Sequence, residues 1–176
     1  MRHPSASDIK FIEQQLGREP RGVIEISARC RSGHPSVIKT KPILVGGRQA
    51  GVGKDVGRVR RTRRDEFFPT LYYLVCGKLI KEVFKLESEG FINKLQRKVD
   101  SDKEFRTRFL EAEEDYMKER NVLCRAGSPN TPQVGIGGVR KLDKIKCLHA
   151  HLAHYLATDN NPVGEEVAKI VGSTCQ

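Results

Sequence analysis

The strongest strand signal in the chain is Thr70-Leu71-Tyr72-Tyr73-Leu74-Val75-Cys76, and the predicted fold is built outward from it. Aromatic and branched aliphatic residues dominate the stretch, as they do in β-strands. Both alternating sets of side chains are apolar, which is typical of a strand that is buried on both faces. The stretch therefore predicts a central strand, and an amphipathic helical pattern begins after Gly77.

The segments on either side complete a mixed architecture. Two β-type runs lie upstream, at Val23–Ala28 and Ser36–Leu44, and the short turn between them predicts an antiparallel hairpin. A first helix is predicted up to Leu16, with Ser7 as its N-cap and Gly17 as the residue that ends it. Helical patterns also occupy most of the chain after Gly77. We therefore expect an α+β fold, with a small antiparallel sheet of about three strands packed against roughly four to six helices. Neither a repeat nor a clear boundary is visible, so residues 1–176 are expected to form a single domain.

Composition restricts the class of protein. A chain of 176 residues with 38% hydrophobic and 31% charged residues suits one soluble domain with a sizeable core. The longest uncharged apolar segment, from Thr70 to Gly77, is too short to cross a bilayer, and the N-terminus lacks the apolar run of a signal peptide. The sequence therefore predicts a cytoplasmic protein with no membrane association.

A basic segment carries most of the net charge of +10. Nine Lys or Arg residues and one Asp lie between Lys39 and Arg64, which gives this segment a charge of +8. Residues 46–66 are rich in glycine and then in arginine and contain few large apolar residues, so we predict a loop there. Such a loop could neutralise the phosphates of a nucleic acid without reading its sequence, or it could simply be solvated. The candidate nucleic-acid-binding residues are Arg58, Arg60, Arg61, Arg63 and Arg64.

Three cysteines are candidate metal ligands. Cys30 ends the first predicted strand, Cys76 ends the Thr70–Cys76 strand, and Cys147 begins a histidine-bearing helix. If these three ends converge, the thiolates could hold a zinc ion together with a histidine, or an iron–sulfur cluster with one open iron. The alternative is that they are small buried hydrophobic residues, because the chain has no C-x-x-C pair.

The segment from Lys146 to His154 contains Cys147 and three of the five histidines. If all of it is helical, Cys147, His151 and His154 share one face and His149 points elsewhere. Histidine on a helix can be a metal ligand or a proton donor, and it is also often an ordinary hydrogen-bonded residue. The sequence therefore predicts a site here without specifying a reaction.

Several blocks of the sequence resemble one known family. They are Leu16–Val23, Ala28–Cys30, Phe68–Cys76, Leu86–Gly90, Gly135–Gly138 and Lys146–His149 with Ala153–His154. In this order they are similar to the bacterial family called domain of unknown function 501, which is found mainly in actinobacteria. The resemblance covers nearly the whole chain.

The resemblance implies no established activity, but it indicates which candidate residues belong to the family pattern. Cys30, Cys76, Cys147, His149 and His154 match it. The position of His151 is one that the pattern leaves free, so the resemblance favours His149 and His154 as ligand or proton donor.

Three functions remain open at this point. The first is a protein that ligates an iron–sulfur cluster or zinc through Cys30, Cys76 and Cys147, with His149 and His154 as candidate catalytic residues. The second is a non-enzymatic module that binds nucleic acid through residues 39–64. The third is a structural or interaction protein without a ligand, and the sequence does not decide whether the protein is an enzyme.

Overall fold

A computed structural model describes residues 3–44, 66–68, 70–124 and 133–172. The helices in these ranges are α1 (Ala6–Leu16), α2 (Gly77–Ser88), α3 (Phe91–Ser101), α4 (Lys103–Leu123), α5 (Leu148–Thr158) and α6 (Pro162–Val171). The strands are β1 (Val23–Arg29), β2 (Pro35–Thr40), β3 (Ile43–Leu44), β4 (Glu66–Phe67) and β5 (Tyr72–Leu74). None of the described helices combines the length and the apolar character needed to cross a membrane. The predicted basic loop at 46–66 lies outside the described residues, except for its last residue, which belongs to β4.

The sheet is small and antiparallel. Three strands pair in the order β1-β2-β5, and β3 and β4 form a separate antiparallel pair. β1 and β2 are the predicted hairpin, in which Ile26 lies opposite Ile38. The register of this pair shifts at three places along β1, where the strand is bulged or irregular. Because six described helices accompany this sheet, the predicted α+β class is confirmed.

The prediction that the Thr70–Cys76 stretch forms the central strand is wrong. β5 lies at the edge of the three-stranded sheet, and β2 lies at its centre. β5 is nevertheless apolar on both sides, because different clusters cover the two faces of the sheet. Leu74 belongs to the main core together with residues of the later helices, whereas Tyr73 packs against a smaller cluster that contains Ile12 of α1. An apolar pattern on both faces therefore indicates that both faces are covered, and it does not locate the strand within the sheet.

Helix α1 begins two residues earlier than the sequence pattern suggests. Its N-cap is Ser5 rather than Ser7. The Ser5 hydroxyl accepts a hydrogen bond from the Asp8 backbone N–H, and the Asp8 carboxylate accepts one from the Ser5 backbone N–H, which is a capping box. The same carboxylate forms an ion pair of 2.7 Å with Arg29 of β1. The start of α1 is therefore attached to the end of the hairpin strand.

Helices α5 and α6 pack very closely where they cross. A methyl group at Gly164 of α6 would overlap the backbone oxygen of His151 in α5, so only glycine fits there. Asn161 is the N-cap of α6, and its side-chain oxygen accepts the Gly164 N–H at 2.8 Å. Its amide nitrogen lies 3.1 Å from Nδ1 of His151 and 3.1 Å from Nδ1 of His154. One buried side chain thus joins the helix start to two buried imidazoles.

The two imidazoles are neutral in the folded protein. Burial lowers the pKa of His151 to about 3 and the pKa of His154 to about 4. Because the Asn161 amide nitrogen can only donate, each Nδ1 is an acceptor and each ring carries its proton on Nε2. His151 and His154 are therefore part of the buried core, and Asn161 fixes the protonated nitrogen in both.

Replacing Asn161 by alanine should destabilise the protein strongly. The substitution removes the α6 cap, which costs about 1 kcal/mol, and leaves two buried acceptors without a donor, which adds about 1–3 kcal/mol. We expect the free energy of unfolding, measured by urea denaturation at pH 7, to fall by roughly 2–4 kcal/mol. The matched control is Asn160→Ala, at the exposed neighbouring position, which should change it by less than about 0.5 kcal/mol. Equal losses in the two variants would contradict the role of Asn161.

Candidate metal site

The candidate site lies where the end of α2 meets the start of α5. Cys147 is the N-cap of α5, His149 is in the first turn of that helix, and Glu87 is in the last turn of α2. The Cys147 side chain makes no capping hydrogen bond. Glu87 caps the helix instead, because its Oε1 accepts the Leu148 N–H at 2.7 Å. A carboxylate at this end of a helix is also favoured by the helix dipole.

Three potential metal ligands converge at this junction. Nδ1 of His149 lies 3.2 Å from Oε1 of Glu87 and 4.0 Å from Sγ of Cys147. The three ligand atoms all lie within 4.8 Å of one another, and the residues that the structure describes contain no other group of three such ligands. All three side chains are partly buried, and Glu87 and His149 each keep 23% of their side-chain surface exposed. The group is therefore accessible to a small ion from solvent.

The second ring nitrogen of His149 is held by the backbone. Nε2 lies 3.1 Å from the carbonyl oxygen of Ile80 in α2. A carbonyl can only accept, so Nε2 carries a proton and Nδ1 faces Glu87 and Cys147. Burial by itself would lower the pKa of His149, but the hydrogen bond to Cys147 and the charge of Glu87 oppose it and raise the pKa to about 9. Without a metal, the imidazole is therefore positively charged at neutral pH and forms an ion pair with Glu87.

A glycine turn packs against the site. We use this term for Gly135–Gly138, which contains the short 3₁₀ helix Ile136–Gly138. Gly137 has a φ of 71°, a backbone conformation that favours glycine. A Cβ atom at this position would lie 3.3 Å from Cβ of Cys147, so the turn is in close contact with the cysteine. Three of the blocks that carry the family resemblance meet here: the one with Glu87, the glycine turn, and the one with Cys147 and His149.

The other two predicted cysteine ligands lie elsewhere in the fold. Cys30 is buried at the start of the turn between β1 and β2, where its backbone N–H donates to the His34 carbonyl oxygen. Cys76 is buried at the N-terminus of α2. Of the three predicted cysteines, only Cys147 belongs to the group with Glu87 and His149. The three-cysteine site therefore stays a prediction.

The predicted helix face does not form, because Cys147 is not in the helix. Its φ of −149° and ψ of 114° are extended, and α5 begins at the next residue. The spacing argument that joined Cys147 to His151 and His154 requires helical geometry at all three positions, so it fails. His154, which the resemblance favoured, is buried and its Nδ1 faces Asn161, whereas His149 lies beside Cys147.

Glu87 is the member of the group that the sequence reasoning missed. It comes from a segment 60 residues upstream of Cys147, and no spacing rule connects the two positions. Its only signal was its place in the block Leu86–Gly90, which is part of the family resemblance.

The residues predicted to bind nucleic acid, Arg58, Arg60, Arg61, Arg63 and Arg64, lie outside the described residues. Lys39, at the start of the basic segment, is described and forms an ion pair of 2.5 Å with Glu119. Nucleic-acid binding therefore stays a prediction.

The ion pair between Glu87 and His149 should be visible in the pH titration of the metal-free protein. The His149 pKa of about 9 lies above its ordinary value of 6.5, so the charged pair stabilises the fold fully below pH 6.5 and loses this effect as the pH rises through about 9. We expect Glu87→Gln to lower the His149 pKa, measured by NMR from the imidazole chemical shifts. Glu82→Gln, an exposed position on the same helix, should leave it unchanged. An unchanged pKa in Glu87→Gln would contradict the pairing.

Comparison with known proteins identifies the family. Residues 26–169 match the family described as "Protein of unknown function (DUF501)". Comparison with curated proteins and with solved structures gave no match. Because the family match covers well over half of the 176 residues, the chain belongs to the DUF501 family, in agreement with the resemblance of its sequence blocks.

Proposed function

We propose that the protein binds a zinc ion through Glu87, Cys147 and His149 and uses it for Lewis-acid chemistry. The observation that carries the proposal is the convergence of a carboxylate, a thiol and an imidazole, with all three ligand atoms within 4.8 Å of one another. Sulfur, nitrogen and oxygen are the three donor types that zinc accepts in proteins. Each comes here from a partly buried side chain held by defined secondary structure.

The distances support a tetrahedral centre. From ordinary zinc–ligand bond lengths, two ligands of a tetrahedral zinc lie roughly 3.3 Å apart if they are nitrogen and oxygen, and roughly 3.6 Å apart if they are nitrogen and sulfur. The corresponding distances from His149 Nδ1 are 3.2 Å to Glu87 Oε1 and 4.0 Å to Cys147 Sγ. A shift of a few tenths of an ångström at the sulfur would bring the Nδ1–Sγ distance to the tetrahedral value. Binding would release the Nδ1 proton, since metal and proton compete for the same lone pair.

The surroundings of His149 also favour a metal ligand. A metal-binding histidine usually donates its other N–H to a carbonyl or carboxylate, which fixes the ring. The Ile80 carbonyl, 3.1 Å from Nε2, occupies this position. Three protein ligands would leave a fourth position for water or substrate, which is the arrangement of catalytic rather than structural zinc sites. A zinc-bound water is acidic enough to supply hydroxide near neutral pH, so hydrolysis is the reaction class that this site suits best.

An iron–sulfur cluster is the competing cofactor. Such clusters are normally held by three or four thiolates, and the group contains one cysteine. A cluster would therefore need Cys30 and Cys76 in addition to Cys147, and it would make Glu87 unnecessary. The donor set at the junction of α2 and α5 favours zinc.

The proposal is tested by metal titration. We expect chelator-treated protein to take up about one zinc ion per chain, measured by competition with a chromogenic chelator. Cys147→Ser, His149→Gln and Glu87→Gln should each weaken zinc affinity by about tenfold or more, because each removes one of three ligands. In Glu87→Gln the remaining carbonyl oxygen can still accept the Leu148 N–H, so the start of α5 should stay intact.

Two controls make the outcome decisive. Glu82→Gln removes an exposed carboxylate from the same helix and should leave zinc affinity unchanged. Protein purified without oxygen should be colourless, whereas an iron–sulfur centre would absorb near about 400 nm. Zinc uptake that is unaffected by all three ligand substitutions, or no uptake at all, would exclude the proposed site.

A further inference from the structure

We infer that Glu113 is a positioning residue, which holds the glycine turn against Cys147 and so fixes the place of that cysteine. The importance of this role for metal binding rests on the function proposed above. The contact between Glu113 and the glycine turn is independent of that proposal, because it is present in the folded chain without a metal.

Glu113 is fully buried in the middle of α4, where an ionisable residue is unusual. Its Oε2 accepts the backbone N–H of Ile136 at 2.7 Å, inside the glycine turn. A methyl group at Gly135 would overlap the same oxygen, so the turn is shaped to receive this carboxyl group. The side chain therefore connects α4 directly to the backbone of the turn.

A second side chain of α4 holds the same segment. Arg120 donates from Nη1 to the Val134 carbonyl oxygen at 2.6 Å. Within the turn, Gly135 N–H donates to the Val139 carbonyl oxygen at 2.8 Å, and Gly138 N–H donates to the Gly135 carbonyl oxygen at 3.0 Å. These hydrogen bonds connect the two ends of the glycine turn, so a displacement of Ile136 would also move Gly137.

The far side of the turn touches the cysteine. A Cβ atom at Gly137 would lie 3.3 Å from Cys147 Cβ and 3.8 Å from the Cys147 backbone nitrogen. Cys147 itself is extended and precedes the helix, so it has no helical hydrogen bond of its own N–H to hold it. The turn is therefore the surface against which the cysteine rests.

The two oxygens of the Glu113 carboxyl group have different surroundings. Oε1 has no hydrogen-bond partner among the described residues, and neither has Nε2 of His151, which lies 3.9 Å away. Both atoms are completely buried. An unpaired buried polar atom lowers stability, and in this side chain the hydrogen bond from the Ile136 N–H to Oε2 offsets that cost. What an apolar residue cannot do is accept the Ile136 N–H.

The test compares four variants: Glu113→Ala, Glu113→Gln, Gly137→Ala and Gly17→Ala. Glu113→Ala removes the acceptor for Ile136, whereas Glu113→Gln keeps a carbonyl oxygen for it. Gly137→Ala introduces a methyl group against Cys147. Gly17→Ala is the matched control, because it has a similar positive φ of 66° but no heavy atom within 4 Å of the added methyl group.

Three quantities are measured on each variant. Amide hydrogen exchange reports the Ile136 N–H directly. Zinc affinity and the sulfur-to-cobalt charge-transfer band of the Co²⁺-substituted protein report the geometry at Cys147. We expect Glu113→Ala to accelerate Ile136 exchange and to weaken zinc affinity by about tenfold or more, with a changed cobalt band. Gly137→Ala should change affinity and cobalt band in the same way, while Glu113→Gln and Gly17→Ala should stay close to wild type.

The inference is overturned if a folded Glu113→Ala keeps the wild-type zinc affinity and cobalt band, whatever Gly137→Ala does. If Glu113→Ala does not fold, Gly137→Ala decides, because unchanged metal binding in that variant would remove the role of the turn. If the wild-type protein binds no metal, the proposed function fails separately. The positioning role is then decided by iodoacetamide labelling of Cys147 in the metal-free protein, where altered rates in Glu113→Ala and Gly137→Ala support it and rates equal to those of Gly17→Ala overturn it.

Discussion

One carboxylate oxygen, Oε1 of Glu87, is the contact on which the candidate site depends. It accepts the first N–H of α5 and lies beside the charged ring of His149, and so joins the end of α2 to the start of α5. Without it, the helix start would lack a side-chain cap and the imidazole would lose its counter-charge. A capping carboxylate is a common structural device. It becomes chemically interesting here because a thiol stands at the cap position itself, within reach of the same imidazole nitrogen.

The sequence predicted those parts of the fold that depend on residues close together in the chain. The hairpin followed from two β-type runs and a short turn, and the end of α1 from Gly17. The place of β5 within the sheet was not local information. A strand can be apolar on both faces because it is central in the sheet, or because other elements cover both faces of an edge strand. In this protein β5 is an edge strand, and a separate apolar cluster covers each of its two faces.

The same holds for the candidate site, where residues close together in sequence could be predicted and residues from other helices could not. Cys147 and His149 are neighbours in the chain, and the family resemblance favoured both. The exact helix start decided which histidine accompanies the cysteine, and helix boundaries are uncertain by one or two residues in any pattern argument. Glu87 and Glu113 come from other helices and could not be found by spacing, because their roles arise only when the chain is folded.

The irregular strand β1 has a consequence for how the molecule behaves among copies of itself. β1 lies at one end of the three-stranded sheet, so its outer backbone groups face no partner strand in that sheet. Another chain can add a strand to a straight edge of this kind, and repeated addition leads to aggregation. The three register shifts in β1 break the even spacing that such strand addition needs. The distorted edge therefore disfavours strand pairing between copies of the chain.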